Sequence, residues 1–128
     1  MSKQSIKKIA SIAIPVIIIV FVMFGFLKNL LGQSDDQTIA NAIREGAFLV
    51  DVRTPAEFAS GSVPGAVNIP LNDVGARVAE FKNKKGIVVF CRSGNRSSQA
   101  KSILERNGIK GVINGGTWDH VASIKQGL

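Results

Sequence analysis

Nineteen consecutive positions from Ile9 to Leu27, IASIAIPVIIIVFVMFGFL, carry no charge, and Ser11 holds their one side-chain hydroxyl. A helix rising ~1.5 Å per residue covers ~28 Å over such a run, close to the hydrocarbon thickness of a bilayer. The pattern therefore predicts a transmembrane helix over residues 9–31, after a cytoplasmic segment 1–8 and before a linker 32–35 and a soluble domain 36–128. Pro15 would damage a water-soluble helix but is tolerated near one end of a membrane helix. The alternative is a cleaved signal and a secreted domain. A signal has a shorter apolar region and a small-residue cleavage site, whereas this run continues through Gly25-Phe26-Leu27-Lys28 without one.

Beyond the linker the periodicity changes. Asp36 to Glu45 has apolar residues at helical spacing, stopped by Gly46. Ala47–Val52 is a short apolar run and reads as a buried strand. Thr54-Pro55-Ala56-Glu57 combines a capping box with proline at the first helical position, so a short helix begins there and ends at Gly61. Ala66–Ile69 reads as a strand closed by Pro70. A helix capped by Asn72 or Asp73 runs to about Phe81, weakened by Gly75. Gly86–Phe90 is the clearest strand, apolar throughout. Cys91–Ser97 is a loop, Ser98–Asn107 a helix with Ile103 and Leu104 inward, and Gly111–Asn114 a strand. Gly115-Gly116 is then expected to turn into a last helix, around Trp118 to Ile124. Short apolar strands alternating with helices predict an α/β domain with a mostly parallel sheet covered on both faces.

Charge adds orientation. Lys3, Lys7 and Lys8 precede the apolar run, and only Lys28 directly follows it. Positive flanks stay cytoplasmic, so the domain is expected outside the cytoplasm, which is the periplasm in a two-membrane bacterium. Four of the 16 basic residues and none of the nine acidic ones lie before residue 33, so residues 33–128 carry 12 basic and nine acidic side chains, a net of +3. The pI near 10.0 is then mostly a topology signal. Lys82, Lys84 and Lys85 read as a solvated turn. With no Tyr, and no Phe interleaved with basic residues, no stacking platform for nucleic acid is evident. One Cys and one His exclude an internal disulfide and a four-ligand Cys/His metal cage, so no metal site of that kind is expected.

The single thiol sits in the most informative segment, Cys91-Arg92-Ser93-Gly94-Asn95-Arg96-Ser97. In parallel sheets ligands bind beyond the carboxyl ends of strands. A loop between a strand and a helix aims successive N–H groups into one concavity at the positive end of the helix dipole. A thiol at the lip of that concavity is expected to ionise readily. Ionisation alone achieves little. Lowering a thiol from a pKa of ~8.5 to ~6 raises the thiolate fraction at pH 7 about thirtyfold, while lower intrinsic nucleophilicity takes back about thirteenfold. Fixed donors must supply the rest by stabilising the anionic substrate and the covalent intermediate. The loop amides, the Ser93 and Ser97 hydroxyls, and Arg92 and Arg96 are the candidates. A lone Cys ending a buried strand is ordinarily a core residue, but two arginines, a glycine and a following helix favour chemistry here.

These segments resemble the rhodanese homology domain, the single-domain sulfurtransferase family. Asp51-Val52-Arg53-Thr54-Pro55-Ala56-Glu57-Phe58 is similar to its first signature. Gly61-Ser62-Val63-Pro64-Gly65-Ala66-Val67-Asn68-Ile69-Pro70-Leu71 is similar to the second, with Ser62 where His is common. Cys91–Ser97 is similar to the active-site loop and Gly115-Gly116-Thr117-Trp118 to the end of the domain. The resemblance implies a three-layer α/β fold and cofactor-free sulfur transfer. Cys91 would be catalytic, taking the outer sulfur of an anionic donor such as thiosulfate as a persulfide. Arg92, Ser93, Gly94, Asn95, Arg96 and Ser97 would bind substrate, and a thiol or protein would accept the sulfur. Asp51 and Arg53 are possible supports, read first as an ion pair or loop brace. Two alternatives stay open: a non-catalytic persulfide carrier or sensor for a membrane partner, and a phosphatase or arsenate reductase of the related fold. The latter carry a seven-residue loop, whereas Cys91 and Arg96 are separated by four residues, which leaves less room for a tetrahedral phosphate.

Overall fold

The computed structural model describes residues 16–23 and 35–128, and the chain divides into two units, 1–32 and 33–128. In the first unit, residues 16–23 form helix α1, whose side chains are all exposed. Among the described residues no helix is long and apolar enough to cross a membrane. The remainder of the predicted span 9–31, the segment 1–8 and linker residues 32–34 lie outside the described residues.

The second unit is an α/β domain built on four strands: β1 (Phe48–Asp51), β2 (Val67–Asn68), β3 (Ile87–Cys91) and β4 (Val112–Thr117). They pair in parallel in the order β2-β1-β3-β4. Strand β3 lies between β1 and β4 and all five of its residues are buried, as its uniformly apolar sequence requires. Its alternation divides the core. Ile87, Val89 and Cys91 face Val50, Val52, Ile69, Val74, Phe81 and Leu104. Val88 and Phe90 face Ile39, Leu49, Val63 and Val121. Helices α4 (Leu71–Val74) and α5 (Asn95–Arg106) cover the first side, and α2 (Asp36–Arg44) and α6 (Trp118–Gln126) the second. Each such aliphatic or aromatic side chain contributes about 1.5–3 kcal/mol on full burial.

Helix α3 (Pro55–Ala59) begins as its capping box directs: Thr54 accepts from the Glu57 amide, and Glu57 reaches back to the Thr54 amide. Elsewhere the structure corrects the sequence reading. Strand β2 is only two residues long, because the Ala66 amide turns back to the Val63 carbonyl instead of pairing. The helix before β3 starts after Pro70, not after an Asn72 or Asp73 cap, and changes at Gly75 into a 3-10 turn, Gly75–Phe81. Helix α5 starts at Asn95, three residues earlier than expected, since the Gly94 carbonyl already accepts the first helical bond from Ser98 at 3.1 Å.

The largest correction concerns Gly115-Gly116. These residues do not turn into the last helix; they belong to β4. Val89 pairs with Asn114 and Phe90 with Gly116, so Gly115 is the extra residue of a β-bulge. A Cβ on Gly115 would lie 2.7 Å from Val121 Cγ2 and 3.0 Å from Val88 Cγ1. Glycine is present because α6 packs onto the bulge at that point.

Candidate active site

Strands β1, β3 and β4 end together, and the polar residues of the domain's interior gather there. Only four polar or charged residues are buried among the described residues: Asp51, Arg53, Ser97 and Asn114. All four lie at this end of the sheet.

Asp51 and Arg53 form a closed brace. The Asp51 carboxylate accepts from the Arg53 amide at 2.9 Å, from Arg53 Nη2 at 2.7 Å and from Nε at 3.0 Å. Ser62 Oγ donates to the same carboxylate at 2.7 Å. Arg53 Nη2 also donates to the Gly61 carbonyl at 2.6 Å, and the guanidinium lies 4.9 Å over the Trp118 ring. Asn68 Nδ2 ties the strand end down by donating to the carbonyls of Asp51 and Arg53, both at 2.9 Å.

Cys91 is the last residue of β3 and has no exposed surface. It is therefore at the floor of the loop and not at its lip, a correction to the sequence reading. Burial has not isolated it from donors. The Gly94 amide lies 3.0 Å from Sγ and the Ser97 hydroxyl 3.5 Å from it. Gly94 has φ +92°, a left-handed conformation that glycine adopts without strain, and this turn brings its amide over the sulfur. Burial pushes the Cys91 thiol up. The Ser97 hydroxyl and the amides of Ser97, Ser93 and Gly94 pull it down and prevail, so the thiol lies below its ordinary range. The positive end of the twelve-residue helix α5 faces the same way.

The two loop arginines are placed differently. Arg92 and Ser93 are exposed at the loop apex, as is Asn95 at the start of α5. Arg96, inside the first turn of α5, is bound in a fork by Glu57 at 2.7 and 3.0 Å. Glu57 is thereby held down at about 2, first by the Arg96 hydrogen bonds, with Thr54 adding to them against the effect of burial. Arg96 is held up by the same pair. His120 is turned to Asp36 at 2.7 Å and Lys84 to the Phe48 ring at 4.5 Å, so neither is directed at the thiol. Among the described residues no group of three or more His, Cys, Asp or Glu side chains stands together as a metal site.

The contacts of three residues escaped the sequence reading. Asn114 accepts from Ser97 Oγ at 2.7 Å and donates to the Gly94 carbonyl at 3.3 Å. Glu57, legible as a cap, also holds Arg96. Ser62 stands where the related pattern has His and completes the Asp51 carboxylate. The one sequence signal for Asn114 was a polar residue closing an apolar strand.

The rhodanese-like domain description matches residues 29–123, about three quarters of the chain. The chain belongs to the rhodanese-like domain family. Relatives of this rhodanese-like chain include a sulfurtransferase from Allochromatium vinosum, 34% identical over 87 residues that cover 66% of this chain and 81% of the relative. The Escherichia coli thiosulfate sulfurtransferase PspE is 38% identical over 78 residues, covering 59% of this chain and 75% of PspE. A solved Escherichia coli rhodanese with anions superposes with a TM-score of 0.55 at 37% identity, covering 60% of this chain and 93% of that one.

Proposed function

We propose that this rhodanese-like protein is a sulfurtransferase that moves a sulfane sulfur from thiosulfate or a persulfide donor to a thiophilic acceptor through a persulfide on Cys91. The observation that supports this reading is the Gly94 amide 3.0 Å from Sγ, in a cup whose donors hold the thiol below its ordinary range. In the first step the Cys91 thiolate attacks the outer sulfur of thiosulfate. The new S–S bond forms as the old one breaks, and its electron pair leaves on sulfite. Cys91 then carries a persulfide anion, whose charge the loop amides stabilise. In the second step a nucleophile takes the outer sulfur: cyanide gives thiocyanate, a thiol gives a new persulfide, and Cys91 returns as thiolate. Arg92, exposed and with no ion-pair partner among the described residues, draws the anionic donor to the loop, while Arg96 shares its charge with Glu57. Cys91 is buried at rest, so the donor has to reach Sγ past the exposed arc of Arg92 and Ser93.

The test is conversion of thiosulfate and cyanide to thiocyanate by the full-length chain, with Cys91→Ser beside it. Turnover that disappears in Cys91→Ser supports the reading. Undiminished turnover removes Cys91 from the mechanism. A stable gain of one sulfur without turnover replaces the enzyme by a carrier, and phosphate release from an aryl phosphate without thiocyanate replaces it by a phosphatase.

We infer further that residues 9–31 span a lipid bilayer with the N-terminus cytoplasmic and residues 36–128 on the opposite side. The uncharged run and the lysines before it support this. A reporter that is active only outside the cytoplasm, fused after Leu128, is expected to be active. A silent reporter with full expression overturns that orientation.

A further inference from the structure

The hydroxyl nearest the sulfur has more acceptors than protons. Ser97 Oγ lies 2.7 Å from Asn114 Oδ1, 3.1 Å from the Gly94 carbonyl and 3.5 Å from Cys91 Sγ, and it carries one hydrogen. Which acceptor receives it depends on Asn114, and the orientation of that amide is fixed. The Gly116 amide donates to Oδ1 at 3.0 Å and Nδ2 donates to the Gly94 carbonyl at 3.3 Å. The reversed amide would set Nδ2 against the Gly116 N–H and Oδ1 against the Gly94 carbonyl, two repulsions in place of two bonds. Oδ1 is therefore an acceptor aimed at Ser97. Asn114 is 3% exposed and Ser97 fully buried, so water does not compete for these groups.

The bulge makes this arrangement available. It shifts the register between Val89 and Phe90, leaves Asn114 opposite Val89, and folds the Gly116 amide back onto the Asn114 side chain. Asn114 thus reaches across from β4 to two residues of the thiol loop, Gly94 and Ser97. Gly94 is the residue whose own amide meets the sulfur.

We propose that Asn114 is a positioning residue for Cys91: it holds the Gly94 carbonyl and the Ser97 hydroxyl so that the donors around the sulfur are in place before a sulfur donor arrives. While Cys91 is protonated, S–H donates to Ser97 Oγ and the Ser97 proton rests on Asn114 Oδ1. When the thiol proton is lost to water, the Ser97 proton turns to Sγ. Oδ1 is not orphaned by this, because it keeps the Gly116 N–H. The inference deepens the reading of Cys91 as the reacting thiol and rests on it only for its consequence in turnover.

Among the described residues, the charged groups at this end of the sheet include Arg92 in the loop, Arg96 on α5, Glu57 on α3, the Asp51–Arg53 pair at the end of β1, Asp119 at the start of α6, and His120 with its partner Asp36 on α2. None is altered by removing the Asn114 amide, so a changed thiol acidity would report the clamp. The experiment is the rate of Cys91 alkylation by iodoacetamide in the full-length chain as a function of pH, with thermal unfolding measured alongside. Removing Oδ1 frees the Ser97 proton for Sγ and by itself favours the thiolate, but losing the hold on the Gly94 carbonyl and on Ser97 Oγ displaces both donors. Displacement is expected to prevail, so Asn114→Ala raises the pH midpoint by about one unit, which is about tenfold slower alkylation at a fixed pH below the midpoint. Asn114→Asp keeps the shape and both acceptor bonds, loses the donor to Gly94 and adds a carboxylate behind Ser97. Its midpoint is expected to rise further because of the added charge, so Asn114→Leu, which removes donor and acceptor at similar volume without adding charge, carries the test should the alanine variant not fold. Ser97→Ala is expected to raise the midpoint too, and the double alanine variant to shift less than the two single shifts combined.

An unchanged midpoint with a lowered melting temperature would show a purely structural asparagine and overturn the proposal. So would full additivity in the double variant. Iodoacetamide needs no sulfur donor, so the two readings separate. Shifted alkylation with no thiocyanate formed sustains the role of Asn114 and sinks the sulfurtransferase reading, and the converse result does the opposite.

Discussion

Two polar clusters stand side by side where the strands end, and they are built on opposite principles. At Asp51 the negative charge is permanent, and the Arg53 amide, the Arg53 guanidinium and Ser62 saturate it. At Cys91 the Gly94 amide and the Ser97 hydroxyl, backed by a helix N-terminus, are aimed at an atom that is neutral until it loses a proton. The first arrangement is satisfied and holds the chain in place. The second is satisfied only once the sulfur is charged, and that asymmetry lowers the thiol's proton affinity. Buried polarity is therefore no guide to chemistry by itself. On the proposed reading, the chemistry lies where donors outnumber the resident charge.

Removing each acceptor should separate the two clusters most sharply. Cys91→Ser is expected to eliminate thiocyanate formation, a loss of several orders of magnitude, while the melting temperature changes little, since the loop amides remain and the serine hydroxyl fits the same space. A Cys91→Ser chain that unfolds would break the contrast by making the thiol structural. Asp51→Ala should do the reverse. It leaves Arg53 buried without its counter-charge, and breaking such a pair costs about 3–5 kcal/mol, read by denaturant unfolding. Folded molecules should retain rapid alkylation of Cys91. Stability within error of the unsubstituted chain would mean that the brace bears no weight.

The smallest effect sharpens the comparison. The Glu57–Arg96 pair ties α3 to α5 and holds Glu57 at about 2, well below its ordinary 4.5. A carboxylate whose pKa is depressed by folding contributes stability that is fully present above about 4.5 and is lost as the pH falls through about 2. Glu57→Gln should therefore lower the melting temperature slightly at pH 7, and the difference should fade as the solution is acidified through that window. The freed Arg96 should also lower KM for thiosulfate by adding unshared positive charge beside the loop. A difference in melting temperature that persists unchanged at pH 2 would assign the effect to the cap at Thr54 and not to the ion pair.

What the sequence disclosed and what it withheld divide along the range of the interactions. The β3 run, the Thr54 capping box and the thiol loop were legible because each is a pattern within a few consecutive residues. Gly115-Gly116 was misread as a turn because the same dipeptide commonly makes one. Its actual cause, the side chains of Val121 and Val88 pressing on Gly115, exists only after α6 docks. The start of α5 was misplaced because the carbonyl of Gly94, a backbone group, opens the helix. Asn114 and the second role of Glu57 were invisible for one reason. Their partners lie 17, 20 and 39 residues away, and nothing local marks the encounter.

That separation has a consequence for the life of the chain before it is complete. The sulfur's surroundings come from two stretches that meet only when β4 takes its place beside β3. A newly made polypeptide that has not reached that stage lacks the Asn114 bonds to Gly94 and Ser97 that hold the thiol loop. Under the proposed clamp, the final increment of thiol acidity comes with the last strand, so the speed of thiol capture at fixed pH would serve as a clock for the closing event of folding.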